Sequence, residues 1–265
     1  MPNASIPYRR ALVTGASSGI GRALCFALDG AGVETITLVA RNRTLLKEVA
    51  DGLSCNVEIV IADLTQTADL EAVLEHAERS DLIINNAGVG SFGPFHSMDI
   101  QSELSMIDLN CRAPVHLAFH ALSGMVTNGH GCIVNIASGM AFQAMPYMSI
   151  YAASKAFLLH WSEAVNAELS GTGVRVVTIC PGTIHTNFAT ASMVPVNEIP
   201  GTGLVTGTIE DVVSSTLNAI AHNKAIAIPG FRHRLVQALS RLTPRGLARY
   251  VTAWAMANTH KQING

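Results

Sequence analysis

The chain contains few charged and few aromatic residues. Of its 265 residues, 14% are charged, 5% are aromatic and 49% are hydrophobic, and the formal net charge is -2. This composition favours one globular domain over residues 1–265 with a large hydrophobic core. Because the chain is acidic as far as Asp211, nucleic acid is not an expected partner.

Long hydrophobic runs are also missing. The first residues, MPNASIPYRR, lack the apolar stretch of a signal peptide, and no segment approaches the ~18 uninterrupted apolar residues of a membrane span. The five cysteines show neither Cys-x-x-Cys nor disulfide-scaffold spacing, so we expect reduced thiols. Together these absences predict a cytoplasmic protein without a transmembrane segment.

A metal centre is not expected either. His116 and His120 share a helix face, but no neighbouring carboxylate or third ligand accompanies them in the sequence. We therefore interpret them as packing or interface histidines.

A glycine-rich turn follows the first apolar run. The segment ALVTGASSGIGRALCFAL places Gly15, Gly19 and Gly21 between a strand at Ala11 to Val13 and helical periodicity from Ile20. Glycines remove the Cβ atoms that would hold a pyrophosphate away from backbone N–H groups, and a helix N-terminus adds its positive dipole end. The turn therefore predicts a dinucleotide ligand, although its spacing departs from the common Gly-x-Gly-x-x-Gly pattern.

The same turn also fits the Gly-x-Ser-x-Gly nucleophile elbow of hydrolases. An elbow needs an oxyanion loop from an earlier strand, and only 14 residues precede Gly15. We therefore interpret Ser17 and Ser18 as phosphate or turn donors rather than nucleophiles.

Seven apolar runs alternate with helical segments along the chain. They are ALV, TITLVA, VEIVIA, LIINNAG, GCIVNIAS, VRVVTICPG and AIAIPG. The alternation predicts βαβ units, and the nearly continuous apolarity predicts strands covered by helices on both faces. We expect a single-domain Rossmann-type α/β sandwich of three layers, with a mostly parallel, doubly wound sheet of about seven strands.

Three polar residues in the second half of the chain are suited to carbonyl chemistry. Tyr151 and Lys155 are four residues apart, and Ser138 lies 13 residues before the tyrosine. On a helix the ammonium of Lys155 would lie near the phenol of Tyr151 and favour its anion, which predicts an acid/base role. Taken alone, Tyr-x-x-x-Lys is also a common pair on helix surfaces.

These motifs occur in a fixed order along the chain. They are Thr14-Gly15-x-x-x-Gly19-x-Gly21, Asp63, Asn85-Asn86-Ala87-Gly88, Asn110, Ser138, Tyr151-x-x-x-Lys155 and Pro181-Gly182. In this respect the chain resembles the short-chain dehydrogenase/reductase family from about residue 9 to residue 186. The resemblance implies an NAD(P)(H)-dependent oxidoreductase that forms dimers or tetramers through the helices carrying Asn110 and Tyr151.

The resemblance also assigns residues to roles. The expected catalytic residues are Asn110, Ser138, Tyr151 and Lys155. The expected cofactor-binding residues are Gly15, Ser17, Ser18, Gly19, Ile20, Gly21, Arg41, Asp63, Leu64, Asn86, Ala87, Gly88, Tyr151, Lys155, Pro181, Gly182, Ile184 and Thr186. In the implied reaction a carbonyl carbon receives hydride from NADPH, Ser138 binds the carbonyl oxygen and Tyr151 protonates it.

Asn110 has a physical argument of its own. Pro114 lacks an N–H group, so the carbonyl of Asn110 loses its helical partner and could hold a water, or the proline could simply kink the helix. In the family the matching asparagine links the active-site lysine to solvent through water.

The end of the second strand indicates which cofactor is used. An NAD enzyme would place a carboxylate there, whereas this chain has Arg41, whose guanidinium could bind a 2'-phosphate. We therefore predict NADP(H); the alternative is that Arg41 is only a solvated residue. Asp63 and Leu64 resemble the family's adenine-contacting pair, although Asp63 could also be a helix cap or turn residue.

Methionines and aromatic residues surround the catalytic motifs. Met140, Phe142, Met145, Tyr147 and Met148 lie between Ser138 and Tyr151, and Phe188 and Met193 follow Thr186. They favour an adaptable pocket for a lipophilic carbonyl or alcohol substrate, with acyl-type compounds among the candidates, although a methionine-rich segment can also be core filler. Residues 187–207, with little periodicity, are the expected substrate lid.

The C-terminal part of the chain is basic. Seven lysines and arginines follow Asp211, the last acidic residue, so the chain carries +7 after it and -9 up to it. Leucines and aromatic residues recur at helical spacing, which predicts two short amphipathic basic helices in about residues 231–257. They could contact a membrane surface or an acyl-carrier partner, or pack on this subunit or its neighbour.

The alternative function for the whole chain is that of a noncatalytic NADP(H)-binding regulatory or interaction protein.

Overall fold

The computed structural model describes residues 6–184 and 206–264. Its strands are β1 Arg10–Thr14, β2 Thr35–Ala40, β3 Asn56–Ile61, β4 Leu82–Asn85, β5 Gly131–Ile136, β6 Val174–Ile179, β7 Thr183–Ile184, β8 Thr206–Gly207 and β9 Ile226–Ala227. Its α-helices are α1 Gly19–Gly30, α2 Arg43–Asp51, α3 Thr67–Glu78, α4 Ile100–Ile107, α5 Ala113–Asn128, α6 Ser149–Glu168, α7 Ile209–Ala221, α8 Phe231–Leu242 and α9 Arg245–Asn264.

Seven of the strands form one parallel sheet in the order β3-β2-β1-β4-β5-β6-β9. Helices α1, α2 and α7 pack on one face, and α3, α5 and α6 pack on the other. Alternate residues of a single strand therefore enter different cores: Val13 contributes to the first and Leu12 to the second. Burial on both faces explains the continuous apolarity of the inner strands, whereas the edge strand β3 is partly exposed. The layered architecture confirms the predicted Rossmann-type α/β sandwich.

The strand order reverses between β1 and β4. Strands β2 and β3 lie on one side of this pair, and β5, β6 and β9 lie on the other. Because the strands are parallel, their carboxyl ends share one edge of the sheet, and a crevice forms where the order reverses. Thr14 and Asn85 end the two central strands at this edge.

The structure describes the predicted basic segment but only the end of the predicted lid. Most of the expected lid, residues 187–205, lies outside the described residues, and its last two residues form β8, which pairs with β7. The basic segment contains two helices as predicted, but α9 is 20 residues long rather than short. In the described parts of the chain, no helix combines the length and apolarity needed to cross a membrane.

Candidate active site

The glycine turn after β1 is tightly packed. Gly15 has a φ of +65°, which favours glycine, and a Cβ added to Gly21 would lie 2.3 Å from the Gly15 carbonyl oxygen. The same Cβ would lie 2.5 Å from Nδ2 of Asn86. Glycine at these positions therefore lets the turn, α1 and the loop after β4 come together.

Asn86 and Thr14 hold this turn in place. The Asn86 side chain donates from Nδ2 to the Thr14 carbonyl oxygen at 2.9 Å, and the Thr14 hydroxyl accepts from the N–H groups of Asn86 and Ala87, each at 3.0 Å. The predicted cofactor residue Asn86 thus has a structural task that sequence reasoning missed. The neighbouring Asn85 donates to Asn135 Oδ1 at 2.8 Å and so links β4 to β5.

The turn fits the pyrophosphate of a dinucleotide. Helix α1 begins at Gly19 directly after Ser18, so Gly19, Ile20 and Gly21 form the first turn of a 12-residue helix at the carboxyl edge of the sheet. Backbone N–H groups of a first helical turn point out of the helix, and the helix dipole favours an anion there. Ser17 also lies in the turn, partly exposed.

Arg41 and Asp63 lie beside each other at the ends of β2 and β3. Their charged groups are 3.8 Å apart, and the Arg41 side chain is 75% exposed. Partial burial raises the pKa of Asp63, but hydrogen bonds from Thr65 and the charge of Arg41 outweigh it and leave the pKa lowered. Asp63 accepts hydrogen bonds from the N–H and hydroxyl groups of Thr65, so it is a turn residue. It also follows β3 at the carboxyl edge of the sheet, so this role is compatible with contact to the adenine of the predicted cofactor. Leu64 beside it is buried.

Asn110 lies in an irregular part of a helix. Residues Asp108–Arg112 form a π-helical turn immediately before α5, whose second residue is Pro114. The Asn110 amide accepts from Val89 N at 3.1 Å and donates to Ser154 Oγ at 3.0 Å. The side chain is thereby fixed beside Gly88, where an added Cβ would meet Asn110 Oδ1 at 3.0 Å and Lys155 Nζ at 3.2 Å.

The structure brings Ser138, Tyr151 and Lys155 together. Ser138 follows β5, its Oγ accepts from Met140 N at 3.1 Å, and it hydrogen-bonds to the Tyr151 side chain. Tyr151 and Lys155 lie on the first two turns of α6, and all three side chains are buried. Lys155 donates from Nζ to the Ile136 carbonyl oxygen at 2.9 Å.

The expected direction of the Tyr151 pKa is wrong for this arrangement. Burial raises the pKa of the phenol, and the hydrogen bond from Ser138 only partly opposes it. Burial also lowers the pKa of Lys155 to about 8, against a smaller opposite effect of Cys111 and Cys180. Sequence spacing placed the two residues on one helix face but could not show how strongly both are desolvated.

Residues after β6 complete this edge of the sheet. The Pro181 carbonyl oxygen accepts from Gly139 N at 2.7 Å, which joins this segment to the turn after Ser138. Gly182 follows it, and Ile184 lies in β7 against the first core. Thr186 lies outside the described residues.

An apolar cluster surrounds Tyr151. The predicted pocket residues Met140, Met145, Tyr147 and Met148 belong to it, whereas Phe142 packs in a different cluster and Phe188 and Met193 lie outside the described residues. Met106, Ala152, Val89, Phe92, Ile150 and Met256 complete the cluster. The methionine-rich segment is therefore placed at the candidate site.

Helices α8 and α9 supply residues that sequence reasoning missed. His233 and Gln237 of α8 are buried against Gly139, next to Ser138, and Gln237 donates to the Gly139 carbonyl oxygen at 3.0 Å. From α9, the ring of His260 stacks on Tyr147 with centroids 4.9 Å apart. The only available signal was polar residues four apart in an amphipathic segment, which does not identify their partner.

One of the two histidines of α5 lies beside a carboxylate that is distant in the sequence. His120 Nδ1 lies 3.0 Å from Oε1 of Glu78, a residue of α3, so a carboxylate does accompany it. Within residues 6–184 and 206–264 no group of three potential ligands could hold a metal ion.

The fold agrees with comparisons to known proteins. The sequence model of the short chain dehydrogenase family matches residues 9–194, so the chain belongs to this family of oxidoreductases. A short-chain dehydrogenase from Sphingobium yanoikuyae in complex with NADPH is 31% identical, with a TM-score of 0.78 over 88% of this chain and 94% of that one.

Two further proteins are similar over most of their length. The ketoacyl reductase HetN from Nostoc is 30% identical over 239 residues, covering 87% of this chain and 81% of HetN. A bulky-bulky ketone specific alcohol dehydrogenase from Comamonas testosteroni is 29% identical, with a TM-score of 0.74 over 88% of this chain and 93% of that one.

Proposed function

We propose that the protein is an NADPH-dependent carbonyl reductase that converts a lipophilic ketone or 3-oxoacyl compound to an alcohol, or catalyses the reverse reaction. The observation that carries the proposal is the buried arrangement of Ser138, Tyr151 and Lys155 at the same edge of the sheet as the glycine turn. Family membership supports the reaction class.

The chemistry follows from the protonation states of the three residues. When bound, NADPH supplies hydride to the carbonyl carbon. Ser138 donates a hydrogen bond to the carbonyl oxygen, and Tyr151 transfers its phenolic proton to that oxygen as negative charge develops. The raised pKa of Tyr151 suits this direction, because it keeps the phenol protonated at neutral pH.

Lys155 and Asn110 would support this proton transfer. The Lys155 ammonium, once aligned with the nicotinamide ribose, would stabilise the tyrosinate that remains after the transfer. The Asn110 carbonyl has no N–H donor at Pro114, so it is suited to hold a water that links Lys155 to solvent. Pro181, Gly182 and the segment after them would hold the nicotinamide carboxamide.

NADPH is the proposed cofactor because of the charge at the end of β2. Arg41 is exposed there and could reach a 2'-phosphate, while Asp63 holds its guanidinium at the cofactor edge. Gly15, Ser17, Ser18 and Gly19 would bind the pyrophosphate. The Sphingobium dehydrogenase with bound NADPH supports this preference.

The substrate class follows from the cluster at Tyr151. Methionines from three parts of the chain, Met106, Met145 and Met256, are buried together around the phenol. Such a wall adapts to bulky apolar groups. The names of HetN and of the Comamonas enzyme, a ketoacyl reductase and a bulky ketone dehydrogenase, support a lipophilic substrate.

We also propose a homodimer or homotetramer. The helices α5 and α6 carry exposed aromatic side chains, of which Phe119 is 74% and Phe157 45% exposed. Contact between copies would cover them. Light scattering of the unaltered chain and of a Phe119→Ser variant would show the assembly and its weakening.

The decisive experiment compares Tyr151→Phe with the unaltered enzyme. NADPH oxidation is followed with ketones, steroid ketones and 3-oxoacyl thioesters, and NADPH binding is followed by its fluorescence. Removal of the proton donor should lower reduction by about 10²-fold or more and leave cofactor affinity nearly unchanged. Tyr250→Phe, which removes the hydroxyl of an exposed tyrosine, is the matched control.

Two results would contradict the proposal. Full activity of Tyr151→Phe would remove the tyrosine from the mechanism. NADPH binding by the unaltered chain without turnover of any carbonyl class would favour the noncatalytic regulatory alternative.

A further inference from the structure

Helix α8 buries polar side chains and exposes apolar ones, the reverse of what is expected for a helix packed on its own domain. His233 and Gln237, four residues apart, are the buried positions, and they are polar. Leu235 lies two residues from each, which places it roughly 200° around the helix. Phe231, Leu235 and Leu239 form a stripe at four-residue spacing on this outer side, and Phe231 is 72% exposed.

Helix α9 repeats the pattern. Its buried positions include Met256 and Thr259. Leu247 and Tyr250 precede them by nine residues each, about two and a half turns, so they lie on the opposite side. Tyr250 is 71% exposed.

These exposed side chains are taken together as the outer α8–α9 surface, which consists of Phe231, Leu235, Leu239, Leu247, Tyr250, Val251 and Trp254. All seven side chains are apolar or aromatic, and each is more than half exposed. Packing on this subunit, one of the alternatives from the sequence, therefore does not account for them. Exposed apolar side chains gathered on one side of a helix mark a candidate interaction site.

The charges around this surface select its partner. Arg232, Arg234, Arg245, Arg249 and Lys261 are exposed on the same helices. No acidic residue follows Asp211 in the sequence. A second copy meeting this surface through a twofold axis would oppose basic residues to basic residues. An anionic partner avoids that repulsion.

We propose that the outer α8–α9 surface docks the protein on an anionic lipid membrane, with both helices lying in the interface. Leucines and phenylalanine would enter the acyl region, Tyr250 and Trp254 would lie at the headgroup level, and the arginines would contact lipid phosphates. The buried sides of the same helices contact Gly139 and the cluster at Tyr151.

This placement puts the candidate site one helix away from the bilayer. From this position the protein could take a lipophilic substrate directly from the membrane, an inference that rests on the proposed function. Docking on the membrane does not depend on the proposed function, so vesicle binding tests the surface separately from catalysis.

The first experiment is cosedimentation of the unaltered chain with vesicles of phosphatidylcholine alone or mixed with phosphatidylglycerol. We expect binding to the anionic vesicles that weakens as salt rises, and little binding to the neutral ones. Replacing Arg245 and Arg249 with glutamine should raise the lipid concentration for half-binding roughly tenfold or more. Replacing Arg9 and Lys47, exposed basic residues elsewhere, is the matched charge control.

A second measurement locates the contact. The chain has two tryptophans, so Trp161→Phe leaves Trp254 as the sole tryptophan reporter. Anionic vesicles should shift its emission to shorter wavelength, and brominated lipids should quench it. Tyr250→Ser combined with Trp254→Ser should abolish cosedimentation, whereas Phe95→Ser, another exposed aromatic, should not.

Several results would overturn the proposal. These are equal binding to neutral and anionic vesicles, binding retained in the Tyr250→Ser, Trp254→Ser variant, and no vesicle binding at all. Absence of vesicle binding with self-association lost in that variant would assign the surface to a second copy. Absence of vesicle binding with salt-sensitive binding of an acyl carrier protein would assign it to an acidic protein.

Discussion

The environment of Lys155 predicts an alkaline limit to activity. Burial lowers the pKa of its ammonium from 10.5 to about 8. The proposed role requires the charged form, so one further pH unit should leave about one tenth of the enzyme competent. The kcat/KM for NADPH, which reports the free enzyme, should fall about tenfold per unit above pH 8. Tyr151 should cause no loss there, because its pKa is raised above 10.0.

The assay is initial-rate reduction of the best ketone from pH 6 to 10 at constant ionic strength. Lys155→Arg keeps a charge throughout this range and should remove the alkaline fall, even if its rate is lower. A flat profile to pH 10 for the unaltered enzyme, or the same fall in Lys155→Arg, would refute the reasoning.

The same shift has a consequence for stability. Below pH 8 Lys155 is charged in both the folded and unfolded chain, and the folded chain bears the cost of burying that charge. Between pH 8 and 10.5 the unfolded chain binds more protons at Lys155, so the contribution of this lysine to the free energy of unfolding should rise with pH by roughly 3 kcal/mol. The buried thiols of Cys25 and Cys132, whose pKa values are raised, act in the opposite direction over this range. The rise should therefore appear as the difference between the unaltered chain and Lys155→Met in urea unfolding measured across the range.

Three further substitutions test other parts of the site. Gly21→Ala should weaken NADPH binding by fluorescence titration about tenfold or more, because its Cβ would be 2.3 Å from a carbonyl oxygen, whereas Gly30→Ala, with open space around it, should not. Arg41→Ala should raise the KM for NADPH several-fold and leave that for NADH unchanged; equal effects on both would contradict the 2'-phosphate role. Gly139→Ala should lower kcat and the thermal midpoint, because its Cβ would lie 2.3 Å from Nε2 of His233, and adding His233→Ala should restore part of both.

The sheet and the glycine turn were predictable because local physics determines them. The inner strands are buried on two faces, so an apolar run such as TITLVA has few other stable placements. The turn needs a positive φ at Gly15 and no Cβ at Gly21, and both requirements appear directly as residue type. The relative positions of Ser138, Tyr151 and Lys155 followed from helical spacing and from strand ends that share one edge.

The features that the sequence did not reveal depend on contacts between distant segments. The Asn86 amide bonds to Thr14, 72 residues earlier, and no local pattern distinguishes that use from cofactor contact. The burial of Tyr151 and Lys155 is likewise a property of the assembled site, and it reversed the expected direction of the tyrosine pKa. Spacing gives proximity, whereas the pKa depends on how much water the fold removes.

The reaction class can be predicted from local motifs, whereas the substrate depends on contacts between distant segments. The family match ends at residue 194, and the proposed proton donor, the lysine and the glycine turn all lie before it. His233, Met256 and His260 lie after it, yet they contact Gly139, the cluster at Tyr151 and the ring of Tyr147. We therefore expect some of the residues that select the substrate to come from a segment beyond the family match. Because that segment also carries the exposed apolar and basic side chains, substrate choice and membrane docking should change together when α8 and α9 are exchanged for those of a relative.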